Sequence, residues 1–159
     1  MKTIHLTFCF CMALLASSCA TSSRSNSATA QEVQQKIGSG DYRIDVNMAS
    51  PRRTRNIPLT SSYWVEIRND SVFSNLPYYG RAYAVPYGGG QGLQFNAPVE
   101  GYEVSHTGKG NTRISFRAKT PEDTYQYSIT VYTNGNASIQ VLMQQRESIG
   151  FSGELRPWN

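Results

Sequence analysis

Apolar and polar residues alternate with a period of two along most of the chain after residue 40. Because successive side chains of a β-strand point to opposite faces, this alternation predicts half-buried strands. The predicted strands cover residues 42–48, 63–68, 71–76, 81–85, 112–118, 125–131, 137–144 and 149–155, with two further extended segments at 93–95 and 100–107. The pattern therefore predicts an all-β fold of about eight or nine short strands.

Tight turns separate many of the predicted strands. Asn134-Gly135 is the clearest hairpin signal, because both residue types tolerate the positive φ that a type I′ turn requires, and Asn69-Asp70 is a second one. Short strands joined in this way are typical of an antiparallel meander. We expect a small lipocalin-like barrel, since closure removes exposed strand edges, and a two-sheet β-sandwich is the alternative.

The first 18 residues have the pattern of an export signal. Lys2 is followed by an apolar run over residues 4–16, which is too short to cross a bilayer core of about 30 Å. The segment LASSC, which ends at Cys19, is similar to a bacterial lipobox, although its leucine lies four residues before the cysteine instead of three. We predict a signal peptide over residues 1–18 and a lipid anchor at Cys19. A plain secretory signal, cleaved near residue 16 or 20, is the alternative.

The rest of the chain is predicted to be a tether followed by one domain. Residues 19–30 are small and polar, which predicts a flexible tether from the lipidated Cys19. Residues 31–37 predict a short helix, which the glycines at 38 and 40 end. A chain of the remaining length buries about 65% of its unfolded surface, so we expect residues 31–159 to form a single β domain. Such a protein would be anchored to a membrane without spanning it.

Cysteine and histidine usage limits the chemistry of the exported domain. All three cysteines lie at or before Cys19, so the domain has no thiol for a disulfide, a thiolate zinc site or a cysteine nucleophile. His106 is the only histidine after the signal peptide. One histidine with scattered carboxylates has no recognisable metal-ligand spacing. We expect no metal and no cofactor, with an oxygen-only calcium site as the alternative.

Basic residues outnumber acidic ones, and the formal net charge is +4. Arg52, Arg53 and Arg55 form the only dense basic cluster, in a segment between two predicted strands. We interpret this cluster as a solvated loop, with contact to anionic lipid or glycan as the alternative. Nucleic-acid binding would need a basic face with stacking aromatic residues, and we expect no nucleic acid as a partner.

Residues 76–95, LPYYGRAYAVPYGGGQGLQF, differ in composition from the rest of the chain. They are too rich in glycine and proline for an ordinary strand and too aromatic for an ordinary exposed loop. Tyrosine has an apolar ring with a polar tip, which suits contacts with glycans, peptides and proteins. An alternative is that Tyr79, Tyr83 and Phe95 fill the barrel. We predict here a site for a ligand or partner, formed by Tyr78, Tyr79, Arg81, Tyr83 and Tyr87.

The sequence gives little support for catalysis. His106 is a candidate base, but no nucleophile-elbow pattern is present, and we expect no catalytic residue. The carboxylate pairs Glu100 with Glu103 and Glu122 with Asp123 lie in or beside predicted turns. Acidic residues in turns are expected to be solvated, so these pairs do not indicate the acid and base of a glycosidase.

The segment 76–95 also resembles the hallmark of a known family. The matching blocks are LPYYGRAY, PYGGG and GLQF, together with YTNGNA at 132–137 and IGFSG at 149–153. They are similar to the domain-of-unknown-function family 4251, which comprises uncharacterised lipoproteins of Bacteroidetes, and the resemblance spans residues 31–155. It implies an exported, often lipidated, mostly β domain, and it implies no activity. Residues 20–23 lack the acidic run that resembles a surface-export signal in such bacteria, so we expect an outer-membrane protein that faces the periplasm.

These observations predict an exported, lipid-anchored β-barrel-like domain in the cell envelope. We expect it to bind a small ligand, a glycan or an envelope protein without catalysing a reaction. A structural envelope lipoprotein without a ligand is one alternative, and an unrecognised hydrolase is the other. The membrane, reached through the lipid at Cys19, is the expected partner that the sequence indicates most directly.

Overall fold

The computed structural model describes residues 22–83 and 92–156, with side chains from residue 30 onward. The predictions for the signal peptide, for Cys19 and for Tyr87 fall outside the described residues. The described elements are one helix and eight strands, which are α1 (Ser22–Gly38), β1 (Tyr42–Pro51), β2 (Ile57–Arg68), β3 (Ser71–Leu76), β4 (Leu93–His106), β5 (Thr112–Lys119), β6 (Thr124–Val131), β7 (Asn136–Met143) and β8 (Ile149–Leu155).

The eight strands form a closed barrel in which each strand pairs with its neighbours in the chain and β8 pairs with β1. Every pair is antiparallel. This topology confirms the predicted meander and barrel, and the sandwich alternative is wrong. Asn69 and Asp70 join β2 to β3 with φ values of 50° and 55°, as the predicted hairpin turn requires.

Strand β4 is longer than the sequence pattern predicts. The two extended segments at 93–95 and 100–107 belong to one strand, which a register shift between Glu100 and Glu103 interrupts. Gly101 lies in this bulge with a φ of 62°, a conformation that residues with a side chain rarely adopt. The bulge lies within the second predicted segment. The gap between the two segments, residues 96–99, contains Pro98, a residue that is uncommon inside strands, but the strand continues through it with Ala97 buried.

The strand predicted at residues 81–85 is not formed over 81–83, and residues 84–85 lie outside the described part. Ala82 makes only an isolated bridge to Arg146. The backbone nitrogen of Tyr83 donates to the carbonyl oxygen of Gln145 at 2.7 Å, and the nitrogen of Glu147 donates to the carbonyl of Arg81 at 3.0 Å. The connection between β7 and β8 therefore takes the hydrogen bonds that a neighbouring strand would have made.

Helix α1 begins at Ser22, well before the predicted start at residue 31, so part of the predicted tether is helical. It ends as predicted, with Gly40 at a φ of 77° and its nitrogen donating to the carbonyl of Ile37 at 3.1 Å. Lys36 Nζ donates to the carbonyl oxygen of Arg156. Burial, together with the charge of Arg156, lowers the pKa of Lys36.

Within residues 22–83 and 92–156, no helix has the length and apolar character to cross a membrane.

Apolar side chains from all eight strands fill the interior of the barrel. Phe116 and Tyr127 stack near its centre, with ring centroids 4.9 Å apart and an interplanar angle of 9°. The hydroxyl of Tyr127 donates to Ser74 Oγ at 3.0 Å, and Ser74 donates to the carbonyl of Leu93 at 2.7 Å. Burial raises the pKa of Tyr127 far above its ordinary value, so its hydroxyl keeps the proton that this chain of hydrogen bonds needs.

The meander places its connections alternately at two ends of the barrel. We call one the helix end, because Val33 and Ile37 of α1 are buried there in the core. Its turns are residues 69–70, 107–111 and 132–135. We call the other the loop end. It carries the connections 52–56, 120–123 and 144–148, together with the described residues 77–83 and 92 between β3 and β4.

Candidate ligand-binding site

A cleft of about 500 Å³ opens at the loop end of the barrel. Its walls come from the connection after β1, from the segment after β3 and from the connection before β8. The apolar part of the lining consists of Pro51, Ile57 and Tyr79. The charged and polar part consists of Arg52, Arg53, Thr54, Gly80, Arg81 and Glu147. The cleft therefore combines a small apolar surface with three arginines and one glutamate.

Glu147 holds two walls of the cleft together. Its side chain is only 3% exposed, and Arg53 Nε donates to its Oε1 at 2.7 Å. Its Oε2 lies 3.5 Å from the backbone nitrogen of Arg81. A buried carboxylate needs compensating partners, and these two come from different connections. Glu147 thus fixes the distance between the loop that carries Arg53 and the segment that carries Arg81.

The half-buried Tyr78 stabilises the segment that carries Arg81. Its hydroxyl lies 2.8 Å from the carbonyl oxygen of Arg81 and 3.0 Å from that of Glu147, so one proton serves two acceptors. Burial raises the pKa of Tyr78, which keeps this proton in place at neutral pH. A Cβ atom on Gly80 would lie 2.6 Å from the Tyr78 hydroxyl oxygen. Glycine at position 80 is therefore needed for the ring of Tyr78 to fold beneath the chain.

Buried polar groups also link the remaining connections at the loop end. Asp123 is only 6% exposed and accepts hydrogen bonds from the backbone nitrogens of Thr124, Gln144 and Gln145, at 2.7, 2.9 and 3.1 Å. The expectation of a solvated turn residue is wrong for Asp123, because the connection before β8 folds over it. Its carboxylate satisfies nitrogens that would otherwise lack an acceptor.

Arg146 is a second buried anchor at the loop end. Its Nη1 donates to the carbonyl of Gly92 at 2.8 Å, and its Nη2 lies 3.3 Å from Glu122 Oε2. The guanidinium also lies 5.5 Å from the ring centroid of Tyr78. Arg146 therefore ties the connection before β8 to both ends of the segment 76–95.

The predicted site residues have different environments. Tyr79 is 36% exposed and lines the cleft beside the exposed Arg81, whereas Tyr78 is half-buried beneath them. Tyr83 is 68% exposed but does not line the cleft. Tyr87 lies outside the described residues.

The alternative in which residues of this segment fill the barrel is wrong for Tyr79 and Tyr83, since both are exposed. Their backbone runs along the rim, held by the connection before β8. Phe95 is half-buried and stacks on Tyr125 with centroids 4.3 Å apart. The interior aromatic residues come mainly from β5 and β6 instead, at Phe116, Tyr125 and Tyr127.

Several lining residues are absent from the predicted site. Arg52 and Arg53 have a sequence signal, the dense basic cluster, but nothing in the sequence connects that cluster to the tyrosines. Glu147 has no such signal, because it lies 94 positions from its partner Arg53. Only the barrel topology brings these residues together.

His106 lies at the helix end, on the opposite side of the barrel from the cleft. It is exposed, and its Nδ1 is 3.2 Å from Thr112 Oγ1. Across the described residues, no group of three or more His, Cys, Asp or Glu side chains is arranged to hold a metal ion. His106 therefore does not contribute to the cleft at the loop end.

A second cleft, of about 290 Å³, lies at the helix end, and it too is rich in cations. These cations have partners within the protein. Asp45 accepts from Arg43 Nε and from Arg156 Nε, each at 2.8 Å. Arg68 Nη1 lies 3.5 Å from Glu66 Oε1. Lys36 donates to the carbonyl oxygen of Arg156, so each of the four cations that line this cleft has a partner within the protein.

Three kinds of comparison relate the chain to known proteins. The family model described as "Domain of unknown function (DUF4251)" matches residues 24–155. A crystal structure of a DUF4251 family protein from Bacteroides eggerthii is similar in fold, with a TM-score of 0.65 and 18% sequence identity. The similarity covers 82% of this chain and 88% of that chain. No curated protein matches the chain in sequence.

Proposed function

The chain belongs to the DUF4251 family, and we propose on that premise that it is an exported, lipid-anchored β-barrel domain that binds a ligand or an envelope partner without catalysing a reaction. The observation that carries this proposal is the cleft of about 500 Å³ at the loop end. A cleft of this volume falls in the range that small-molecule sites occupy.

The construction of the loop end supports binding rather than a purely structural role for this end. Four connections meet there. Buried Glu147 binds the side chain of Arg53, and buried Arg146 and Asp123 bind backbone atoms of the other connections. The same framework leaves Arg52 and Tyr79 at the lining of the cleft. Loops fixed by a rigid scaffold are where proteins commonly carry binding residues.

The anchor and the location form the second part of the proposal. The apolar run of residues 4–16 and the segment that ends at Cys19 support export followed by lipidation. We place the domain at the outer membrane, facing the periplasm, in a member of the Bacteroidetes. Cys19→Ala should release the protein from the envelope membranes into the soluble fraction. Retention of the variant in the membrane fraction would contradict the anchor.

Binding in the cleft can be tested by filling it. Thr54→Trp places an indole in the cleft, whereas Ser138→Trp places the same ring on the exposed face of β7, away from it. Each protein is recovered from the envelope of cells that export it and is examined by native mass spectrometry. We expect a bound species with the wild type and with Ser138→Trp, and its loss with Thr54→Trp. Equal occupancy in all three proteins, or a bound species in none, would overturn the proposal.

A further inference from the structure

We infer that the cleft binds an organic molecule through a dianionic phosphate group, held by Arg52 and Arg81. This inference rests on the binding function proposed above and names the class of ligand. Tyr79 and Ile57 contact the organic part of the molecule.

The described residues do not balance the charge of the cleft. Three arginines and one glutamate line it, and Glu147 is paired with Arg53. Within the described residues, the guanidiniums of Arg52 and Arg81 make no ion pair and no hydrogen bond. Two positive charges therefore have no anion among the described residues, and a phosphate monoester carries a charge of about −1.5 to −2 at neutral pH.

Arginine is suited to this role by its geometry. Its planar guanidinium presents N–H donors in a fork that matches two oxygens of a phosphate. Arg52 comes from the connection after β1, and Arg81 comes from the segment after β3. Two forks on separate walls can grip one phosphate from two sides, and a lone surface arginine cannot.

The helix end provides an internal control for this interpretation. Its cleft is also lined by four basic residues, Lys36, Arg43, Arg68 and Arg156, yet each of them has a partner within the protein. The partners are carboxylates of Asp45 and Glu66 or, for Lys36, a carbonyl. A high count of cations therefore does not imply a free charge in this protein. The unpaired guanidiniums of Arg52 and Arg81 therefore distinguish the cleft at the loop end from the cleft at the helix end.

The apolar part of the lining indicates that the phosphate belongs to a larger molecule. Pro51, Ile57 and Tyr79 supply the apolar part of the lining. Inorganic phosphate would leave this surface unused, whereas an aromatic or aliphatic group would bury it. The volume of about 500 Å³ exceeds what a single phosphate occupies.

Glu147 acts here as a positioning residue. Its carboxylate takes the charge of Arg53 and approaches the backbone of Arg81 at 3.5 Å. The side chain of Arg81 is then presented to the cleft by a backbone that is already fixed. A preformed arrangement lowers the entropy that binding would otherwise cost.

The test uses calorimetric titration of the folded wild-type protein with phenyl phosphate, at about pH 7.5 so that the phosphate is dianionic. We expect binding of phenyl phosphate that is tighter than that of inorganic phosphate, and no binding of phenol. Arg52→Gln and Arg81→Gln should each weaken it about tenfold or more, the loss typical of one charge-assisted contact. Arg113→Gln removes a charge that is also exposed, on β5 at the helix end, and should change the affinity less than about twofold.

A second arm separates a soluble ligand from a lipid headgroup. Vesicles of phosphatidylcholine with and without phosphatidic acid are offered to the wild type and to the double variant Arg52→Gln/Arg81→Gln. Binding that requires phosphatidic acid and both arginines supports a headgroup, and binding of phenyl phosphate alone supports a soluble phosphate ester. Binding of neither probe, or binding that the double variant retains, overturns the inference.

The outcomes also separate this inference from the proposed function. If Thr54→Trp abolishes a bound species while phenyl phosphate and phosphatidic acid fail to bind, the cleft is a site and the phosphate assignment is wrong. If no bound species is found and neither probe binds, both proposals fail. Arg52 and Arg81 are exposed, so unchanged thermal unfolding of their variants will show that any loss of affinity is local.

Discussion

The two ends of the barrel use charged residues in opposite ways. At the helix end, Arg43 and Arg156 both donate to Asp45, and their charges are satisfied within the protein. At the loop end, Arg53 is satisfied by the buried Glu147, while Arg52 and Arg81 are left unpaired among the described residues. The arginines of the helix-end cleft stabilise the fold through their ion pairs, whereas Arg52 and Arg81 of the loop-end cleft are exposed to solvent.

This difference indicates a division between stability and recognition. The helix end is covered by α1, whose Val33 and Ile37 join the core. The loop end has no such cover in the described part of the chain and is held by buried polar groups instead, notably Asp123. Polar groups that bind backbone atoms fix the loops and leave the rim side chains accessible. We therefore expect substitutions at the two ends to affect different properties.

The largest effect is expected where the barrel closes toward the helix end. A Cβ atom on Gly153 of β8 would lie 2.0 Å from the carbonyl oxygen of Asp45 in β1. Gly153→Val should therefore lower the free energy of unfolding by about 4 kcal/mol or more, or prevent folding. Gly150→Ala is the control on the same strand, because its Cβ would lie 3.3 Å from the end of the Gln140 side chain and at ordinary contact distance, 3.6 Å, from Ser50. Equal stability of both variants in urea denaturation would contradict this prediction.

The next largest loss of stability is expected from truncation of Ile37, which packs helix α1 against the barrel. An exposed tyrosine at the loop end provides the comparison. Ile37 is fully buried against the barrel. Ile37→Ala should cost about 2 to 4 kcal/mol of unfolding free energy, since it leaves a cavity in the core. Tyr83→Ala at the loop end removes a larger but exposed side chain and should cost less than about 0.5 kcal/mol. If Tyr83→Ala were the more destabilising change, the division between the ends would be wrong.

A smaller loss is expected from the polar anchor of the loop end. Asp123→Ala leaves the nitrogens of Thr124, Gln144 and Gln145 without their acceptor, and should cost about 2 kcal/mol. Asp123→Asn keeps one carbonyl oxygen and should cost less. Glu154→Ala, an exposed carboxylate on β8, is the control and should have little effect. Chemical denaturation measures all three, and a neutral Asp123→Ala would show that the loops are held by other contacts.

The smallest effect on stability is expected from the ion pairs of Asp45 at the helix end. Burial alone would raise the pKa of Asp45, but hydrogen bonds and charges from Arg156 and Arg43 outweigh it and lower that pKa. The carboxylate therefore stabilises the fold above its unfolded pKa of about 3.9, and this contribution is lost as the pH falls through the lower folded value. Because the side chain is 43% exposed, we expect less than about 1 kcal/mol.

Asp45→Asn checks this prediction by thermal unfolding as a function of pH. The wild type should be more stable than the variant between about pH 5 and 7, and the difference should shrink below about pH 4. A difference that stays constant down to pH 2 would mean that the contribution of Asp45 is not ionic.

The sequence predicts the fold better than it predicts the site. The bounds of β3 and β8 follow from alternation between clear turn signals, and Asn69-Asp70 turns as expected. Local patterns carry this information, because neighbouring strands of a meander are also neighbours in the chain. The bulge at Gly101 is the exception, since it breaks the local period within one strand.

The site depends on contacts between distant parts of the chain. Tyr79 and Arg81 are predicted site residues because the segment 76–95 that contains them has an unusual composition, and both line the cleft. Glu147 lies far along the chain from both walls that it joins, and no local pattern marks it. The burial of Asp123 likewise depends on a connection about twenty residues away. Residues whose role comes from tertiary hydrogen bonds are those that sequence reasoning missed.

The most direct test of the division between the two ends is an NMR titration of isotope-labelled protein with phenyl phosphate. We predict that the backbone amide shifts will be confined to the loop end, centred on residues 52–54, 79–81 and 147, which line the cleft. The amides of Lys36, Arg43 and Arg68, which line the balanced cleft at the helix end, should not move. Shifts centred on the helix end, or no shifts at saturating phenyl phosphate, would contradict the account.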